Sequence, residues 1–243
     1  MESQKHSISL ILLAGGIGKR MGHAKPKQYL PLNNKMIALH SFDIFLNNSF
    51  IKEIIVVCED EYQVHFKQNC PAHYPLSFAK PGKRRQDSLY SGLSKVQNEN
   101  AMIAVHDSAR PFVPCLNELI RAAFKYGAAV LASPMKFTVK ESTPSGFVSR
   151  TLKRESLWEI QTPQMAFKDL FMKGFEIAND QQLTVTDDVS LVELVGHPVK
   201  IVEGPNSNFK ITTFEDMAIA TQMIENLIND DTKKPQLQTP HCV

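Results

Sequence analysis

The chain has 243 residues, of which 43% are hydrophobic and 21% charged, so it can build one generous packed domain or two small ones and has no need of disorder. Lys and Arg number 27 against 25 Asp and Glu, a net charge of +2, which excludes general coating of nucleic acid because that needs a strongly basic face. The four cysteines, Cys58, Cys70, Cys115 and Cys242, form no CxxC pair and are too sparse for a disulfide scaffold, which argues against cysteine-bound zinc and for a reducing compartment. The longest apolar run near the start, Leu10 to Ala14, falls far short of the ~18–20 residues that span a bilayer. Met1 to Gly16 lacks an Ala-x-Ala cleavage site and ends in Gly-Gly followed by Lys19-Arg20, unlike a signal peptide. The expectation is a soluble cytoplasmic protein without a membrane partner.

Taken in chain order, Ile8 to Ala14 is an apolar run broken only by Ser9 and closed by glycines, the pattern of a strand buried on both faces. A helix is expected over Met36 to Leu46, then strands at Ile54 to Cys58 and Leu76 to Ala79. Asp87 or Ser88 is positioned to cap a helix running through Leu93 and Val96. Met102 to Val105 reads as a strand, Leu116 to Tyr126 as a helix and Ala128 to Ala132 as a strand. Between Lys136 and Glu159 the sequence turns polar and β-leaning, with Thr143-Pro144-Ser145-Gly146 as the bend of a hairpin. Such a hairpin cannot stabilise itself and packs on something, a second subunit being one solution, or else is an exposed loop. Helices are expected over Gln164 to Ala178, Asp187 to Gly196 and Phe214 to Ile228, with a strand at Val199 to Val202 and a frayed tail over 229–243. Short buried strands alternating with helices predict one α/β domain over 1–228, a mostly parallel sheet flanked by helices.

The first strand runs into Ala14-Gly15-Gly16-Ile17-Gly18-Lys19-Arg20-Met21-Gly22. Glycines let a backbone turn sharply and present bare N–H groups to a phosphate. The dinucleotide fingerprint fails at Met21, and the P-loop fails at Leu13 and Arg20. A tight strand-to-helix connection is the other reading of the loop. Lys19, Arg20, Lys25 and Lys27 crowd the same loop, and Lys83-Arg84-Arg85 follow another expected strand. Ligands of open α/β sheets sit at the carboxyl ends of strands, so two cationic clusters at that edge point to a polyphosphate. A third strand ends in His106-Asp107-Ser108-Ala109-Arg110-Pro111. There Asp107 can hold Mg²⁺ or a sugar hydroxyl and Arg110 can fork onto a phosphate, or the two can pair to fix a turn. His106, pointing to the opposite face, is read as structural. Asp187-Asp188 is read as helix capping in preference to a metal pair.

These residues also carry a resemblance across nearly the whole chain. The glycine loop with Pro26-Lys27-Gln28-Tyr29, Gly82 to Ser88 continuing to Gly92-Leu93, Val105 to Pro111, Leu157 to Gln164, Thr186-Asp187-Asp188 and Asn208 to Thr212 occur in order over about 200 residues. In this the sequence resembles the 2-C-methyl-D-erythritol 4-phosphate cytidylyltransferases of the non-mevalonate isoprenoid pathway. The resemblance implies a Rossmann-like twisted sheet of the nucleotide-diphospho-sugar transferase type, with a protruding β-arm over about 136–159 that hooks a partner in a homodimer. It implies CTP and a polyol phosphate as substrates and Mg²⁺, or another divalent cation, as cofactor. The nucleotide falls to Ala14, Gly15, Gly16 and Gly18 at the triphosphate, Gly82 and Ser88 at the base, and Asp107 near ribose and metal. Arg20 and Lys27 match the transition-state cations, and Thr138, Arg154, Thr162 and Lys210, with Arg110, the groups that position the sugar phosphate.

No protein nucleophile is needed, because the attacking phosphate is already ionised and fixed cations can stabilise the charge that builds up. One departure stands out: Pro81-Gly82-Lys83 replaces the two glycines and acidic residue of many relatives, and Lys83 cannot accept a hydrogen bond from a base. Two alternatives are weighed against this reading. A ribitol 5-phosphate cytidylyltransferase would share the loop and the chemistry, but Ser108-Ala109-Arg110 and Leu157-Trp158 favour the methylerythritol enzymes. A non-catalytic nucleotide-binding module would be expected to have lost Arg20, Lys27 or Lys210, and all three are present.

Overall fold

The computed structural model describes residues 7–16, 25–98 and 101–233. The chain opens with β1 (Ile8–Leu13), then a small hairpin of β2 (Pro31–Leu32) and β3 (Lys35–Met36), and α1 (Ile37–Leu46). Asn33 and Asn34 turn that hairpin with φ of 48° and 62°, a left-handed pair that asparagine tolerates better than most residues. Next come β4 (Ile51–Val57), α2 (Gln63–Gln68), β5 (Leu76–Ala79), α3 (Arg85–Leu93), β6 (Met102–Asp107), α4 (Leu116–Tyr126) and β7 (Ala128–Pro134). A second hairpin, β8 (Lys140–Ser142) and β9 (Val148–Thr151), precedes β10 (Trp158–Phe167). The chain then continues through α5 (Lys168–Asp180), α6 (Val189–Leu194), β11 (Lys200–Glu203) and α7 (Phe214–Lys233).

Seven strands form one sheet in the order β11-β7-β10-β6-β1-β4-β5. β10 alone runs against its neighbours; β1 pairs in parallel with β4 and β6, β4 with β5, and β7 with β11. Leu10 and Leu12 of β1 join the apolar cluster shared with α1 and α4. Ile11 joins the cluster on the other face, with α3, α5 and α6. Burial on both faces is why the first strand is apolar at every position but Ser9. The mostly parallel, helix-flanked sheet expected from the sequence is therefore the fold, with an antiparallel strand inserted in it.

That inserted strand is the main correction. Gln164 to Phe167 end β10, and the helix expected from Gln164 begins only at Lys168. Pro163 disguises the strand, since a proline cannot donate to a ladder and is rare in a central strand. The structure accommodates it with a break: pairing to β7 stops at Ile160 and resumes at Gln164. Asn208, fully buried, bridges the gap by donating to Thr162 O at 2.8 Å and Gln161 Oε1 at 3.0 Å.

The cap of α3 is also reassigned. Its N-cap is Arg84, and Asp87 sits three residues in, accepting from the Arg84 backbone N–H at 3.0 Å as in a capping box. The last helix runs on to Lys233, past the expected end at 228, and the rest of the expected tail lies outside the described residues. β8 and β9 pair only with each other, turning at Thr143–Phe147 with Gly146 at φ 85°. Phe137, Phe147 and Val148 are 79%, 73% and 64% exposed, so this arm carries apolar side chains into solvent.

Candidate active site

Four strands end in one row. Leu13 lies opposite both Asp107 and Val57, and Val57 lies opposite Ala79, so the segments after β1, β5 and β6 emerge together. Between them lies a cavity of about 420 Å³. Gly15, Gly16, Lys27, Gly82, Ser88, Asp107 and Lys210 of the expected site all line it. Gly18 and Arg20 lie outside the described residues.

The glycine loop is held from behind. Gln28, 3% exposed, donates its amide Nε2 to Ala14 O at 2.6 Å and to Gly16 O at 2.8 Å, while the Tyr29 hydroxyl donates to Ala14 O at 2.8 Å. In a trans peptide the carbonyl and the following N–H point opposite ways. Drawing Ala14 O toward Gln28 therefore turns the Gly15 N–H away from it. Ala14 itself is buried and does not line the cavity; it serves as the anchor point of the loop. Gly15 has to lack a side chain, because a Cβ there would lie 2.4 Å from the Pro81 ring, and one on Gly82 would lie 2.3 Å from Asp87 Cβ. The two loops thus meet where Gly15 packs on Pro81, while Gly82 packs on the first turn of α3. Gly82 N–H donates to Ser88 Oγ at 3.0 Å, which shapes the opposite wall.

The wall between these loops is a string of alternating charges. Lys210 Nζ lies 2.7 Å from Asp107 Oδ2; Arg85 reaches Asp107 Oδ1 with Nη2 at 3.1 Å and Nε at 3.3 Å. The same guanidinium holds both oxygens of Asp188, with Nη2 2.8 Å from Oδ2. Burial alone would raise the Asp107 carboxyl, but Arg85, Lys210 and Arg110 outweigh it and hold the group well below the usual carboxylate range. Asp188, 1% exposed, is raised by burial, with Arg85 only partly offsetting it. Asp187 caps α6 through the Ser190 N–H at 3.1 Å, so of the acidic pair only Asp187 does the capping expected of both. In the sequence Arg85 is one cation of the Lys83-Arg84-Arg85 cluster. Its partner Asp188 is 103 residues away, and only the fold connects them.

Behind the wall, Thr162 and His106 lock the turn after β6. Asp107 N–H donates to Thr162 Oγ1 at 3.1 Å, Thr162 faces His106 Nδ1 at 3.0 Å, and His106 Nε2 faces Arg110 O at 3.0 Å. Since a carbonyl only accepts, Nε2 carries the proton and Nδ1 accepts from the Thr162 hydroxyl. Thr162 is therefore a support of the site, 3% exposed, and not part of the cavity lining. His106 is structural, as expected, and burial lowers it to about 4. Arg110 also stands behind the lining. It donates from Nη1 to Asn208 O, its Nε is buried without a hydrogen-bond partner among the described residues, and burial lowers its pKa. Thr138 and Arg154 sit exposed beside the arm, Arg154 donating to Lys136 O at 3.1 Å, and neither lines the cavity of its own chain.

A mostly parallel sheet whose strand ends carry a glycine loop, converging cations and one held carboxylate has the form of a Rossmann-like nucleotide-binding enzyme. The comparisons narrow the class. Residues 8–226 match the family described as IspD, 2-C-methyl-D-erythritol 4-phosphate cytidylyltransferase. The chloroplastic protein of that name from Oryza sativa is 44% identical over 91% of this chain and 75% of its own length. The one from Chlamydia pneumoniae is 42% identical over 89% of this chain and 98% of its own. Among solved structures, 4-diphosphocytidyl-2C-methyl-D-erythritol synthase from Anaerococcus prevotii superposes with a TM-score of 0.79 at 28% identity, over 90% of this chain and 98% of that one. The chain belongs to the 2-C-methyl-D-erythritol 4-phosphate cytidylyltransferase family.

Proposed function

We propose that the chain joins CTP to 2-C-methyl-D-erythritol 4-phosphate, giving 4-diphosphocytidyl-2-C-methyl-D-erythritol and pyrophosphate. The observation that carries this is the convergence of the glycine loop, Lys27, Asp107 and Lys210 on one cavity, in a chain of this family. A phosphate oxygen of the acceptor attacks the α-phosphorus of CTP while pyrophosphate leaves opposite. The Gly15 and Gly16 backbone cradles the triphosphate, and Lys27, with Arg20, neutralises charge growing on the nonbridging and leaving oxygens. Gly82 and Ser88 border the base, Asp107 the ribose. Lys210 meets the acceptor phosphate, and Arg110 stands behind the lining, donating to Asn208 O.

A divalent cation, Mg²⁺ first, fits as a companion of the triphosphate. No group of three or more His, Cys, Asp or Glu side chains among the described residues could cage one, and Asp107 is the single carboxylate lining the cavity. When bound, it would spread the charge of the phosphates. Thr138 and Arg154 serve the acceptor of a partner copy in a homodimer built through the arm; their exposure away from their own cavity and the solvent-facing Phe137 and Phe147 support this. None of the described helices is long and apolar enough to cross a membrane, and we place the reaction in the cytoplasm. Pyrophosphate release with CTP and Mg²⁺ is the test. Methylerythritol 4-phosphate supports turnover and ribitol 5-phosphate does not; the reverse would keep the chemistry and overturn the acceptor.

A further inference from the structure

Asp107 carries two cations on its two oxygens, and they differ in how firmly they are tied. Arg85 is held at both ends, by Asp107 and by both oxygens of Asp188. Asp188 is 1% exposed, so withdrawing Arg85 would strand a buried carboxylate, which is strongly unfavourable. Asp188 is itself fixed, its backbone N–H donating to Gln164 Oε1 at 2.9 Å. Lys210, by contrast, touches one carboxylate among the described residues, Asp107, from the end of a flexible four-carbon stem. It also lines the cavity.

We infer that Arg85, anchored by Asp188, is a fixed counter-ion for Asp107, whose role is to leave Lys210 free to move onto an incoming phosphate. While Arg85 stays, Asp107 keeps a charge partner after Lys210 departs. Without Arg85, Lys210 would be the last cation in direct contact with a carboxylate that is 8% exposed, and leaving it would carry a large desolvation cost. Arg85 and Asp188 are thus positioning residues that set how readily Lys210 responds, and neither has to touch the acceptor. The inference rests on the proposed role of Lys210 but not on the identity of the acceptor.

The test is a double-mutant cycle on the full chain. One arm is the charge-neutral double variant Arg85→Gln/Asp188→Asn, which removes the pair without leaving a buried charge; the other is Lys210→Met. Inorganic phosphate is the probe, followed by ³¹P line broadening, with circular dichroism and a melting curve to establish folding. The paired variant is expected to weaken phosphate binding about tenfold when Lys210 is present and less than twofold when it is Met, a coupling of the size seen for residues in one ion-pair network. Equal losses in both Lys210 backgrounds, or no loss in either, would overturn the inference. If the paired variant does not fold, Asp188→Asn alone, which loosens Arg85 from its second anchor, gives the same comparison. Coupling in a protein that makes no product from methylerythritol 4-phosphate would refute the proposed function and leave this inference standing.

Discussion

Lys27 reaches the cavity from a single turn, Lys27 to Tyr29, in which all three residues are buried. A cation so placed is fixed before substrate arrives, which is what makes it effective against charge that appears only in the transition state. Lys27→Ala is expected to lower kcat at least ~100-fold, the scale of losing one preorganised stabilising group. Steady-state pyrophosphate release with CTP saturating checks this, and a folded variant with near-normal turnover would rule the role out. His106 makes a different prediction. The unfolded chain takes up a proton as pH falls through 6.5, whereas the folded chain resists until about 4. This group's contribution is therefore complete above 6.5 and lost on the way down to 4, by about 3 kcal/mol over that window. Urea unfolding at pH 7 and pH 5, compared with His106→Gln, measures it; an identical pH slope in both proteins would disprove the assignment.

At the scale of elements, the glycine loop and the strand that Pro163 interrupts are both held by side-chain amides from elsewhere in the chain. Gln28 orients the loop and Asn208 closes the gap in β10. Gln28→Met keeps the length and removes both donors. Two hydrogen bonds at about 1 kcal/mol each make a loss of CTP affinity of at least about tenfold the expected outcome. Calorimetric titration of CTP would register it, and an unchanged Kd would mean that the loop needs no tether. The same elements show where a linear reading stops. β1, β5 and α4 were legible because their periodicity and apolar content are local properties. β10 was not, because its place between β6 and β7 comes from neighbours and its own sequence carries a proline signal against it. Asp188 was assigned to capping for the same reason: nothing near it in sequence announces Arg85.

At the scale of the whole molecule, one chain keeps Thr138 and Arg154, two of its expected site residues, on its exposed surface beside the arm. The arm lifts Thr138 and Arg154 away from the cavity and exposes Phe137 and Phe147, the arrangement expected if a second copy receives them. Sedimentation velocity should show a dimer at assay concentration. Phe147→Asp should shift it toward monomer and raise the KM for the acceptor more than that for CTP. A fully active wild-type monomer would sink the arm's role.

The fold class, the family, the glycine loop and most of the residues around the cavity are written in short local patterns and in their order along the chain, so a linear reading reaches them. Only the tertiary structure decided which of them face the cavity and which stand behind it. Thr162 and Arg110 became supports, Gln28 a tether, and Arg85 the link between two carboxylates. Those roles depend on contacts between residues up to 103 positions apart, and charge pairing across such a distance leaves no periodicity for a linear reading to detect.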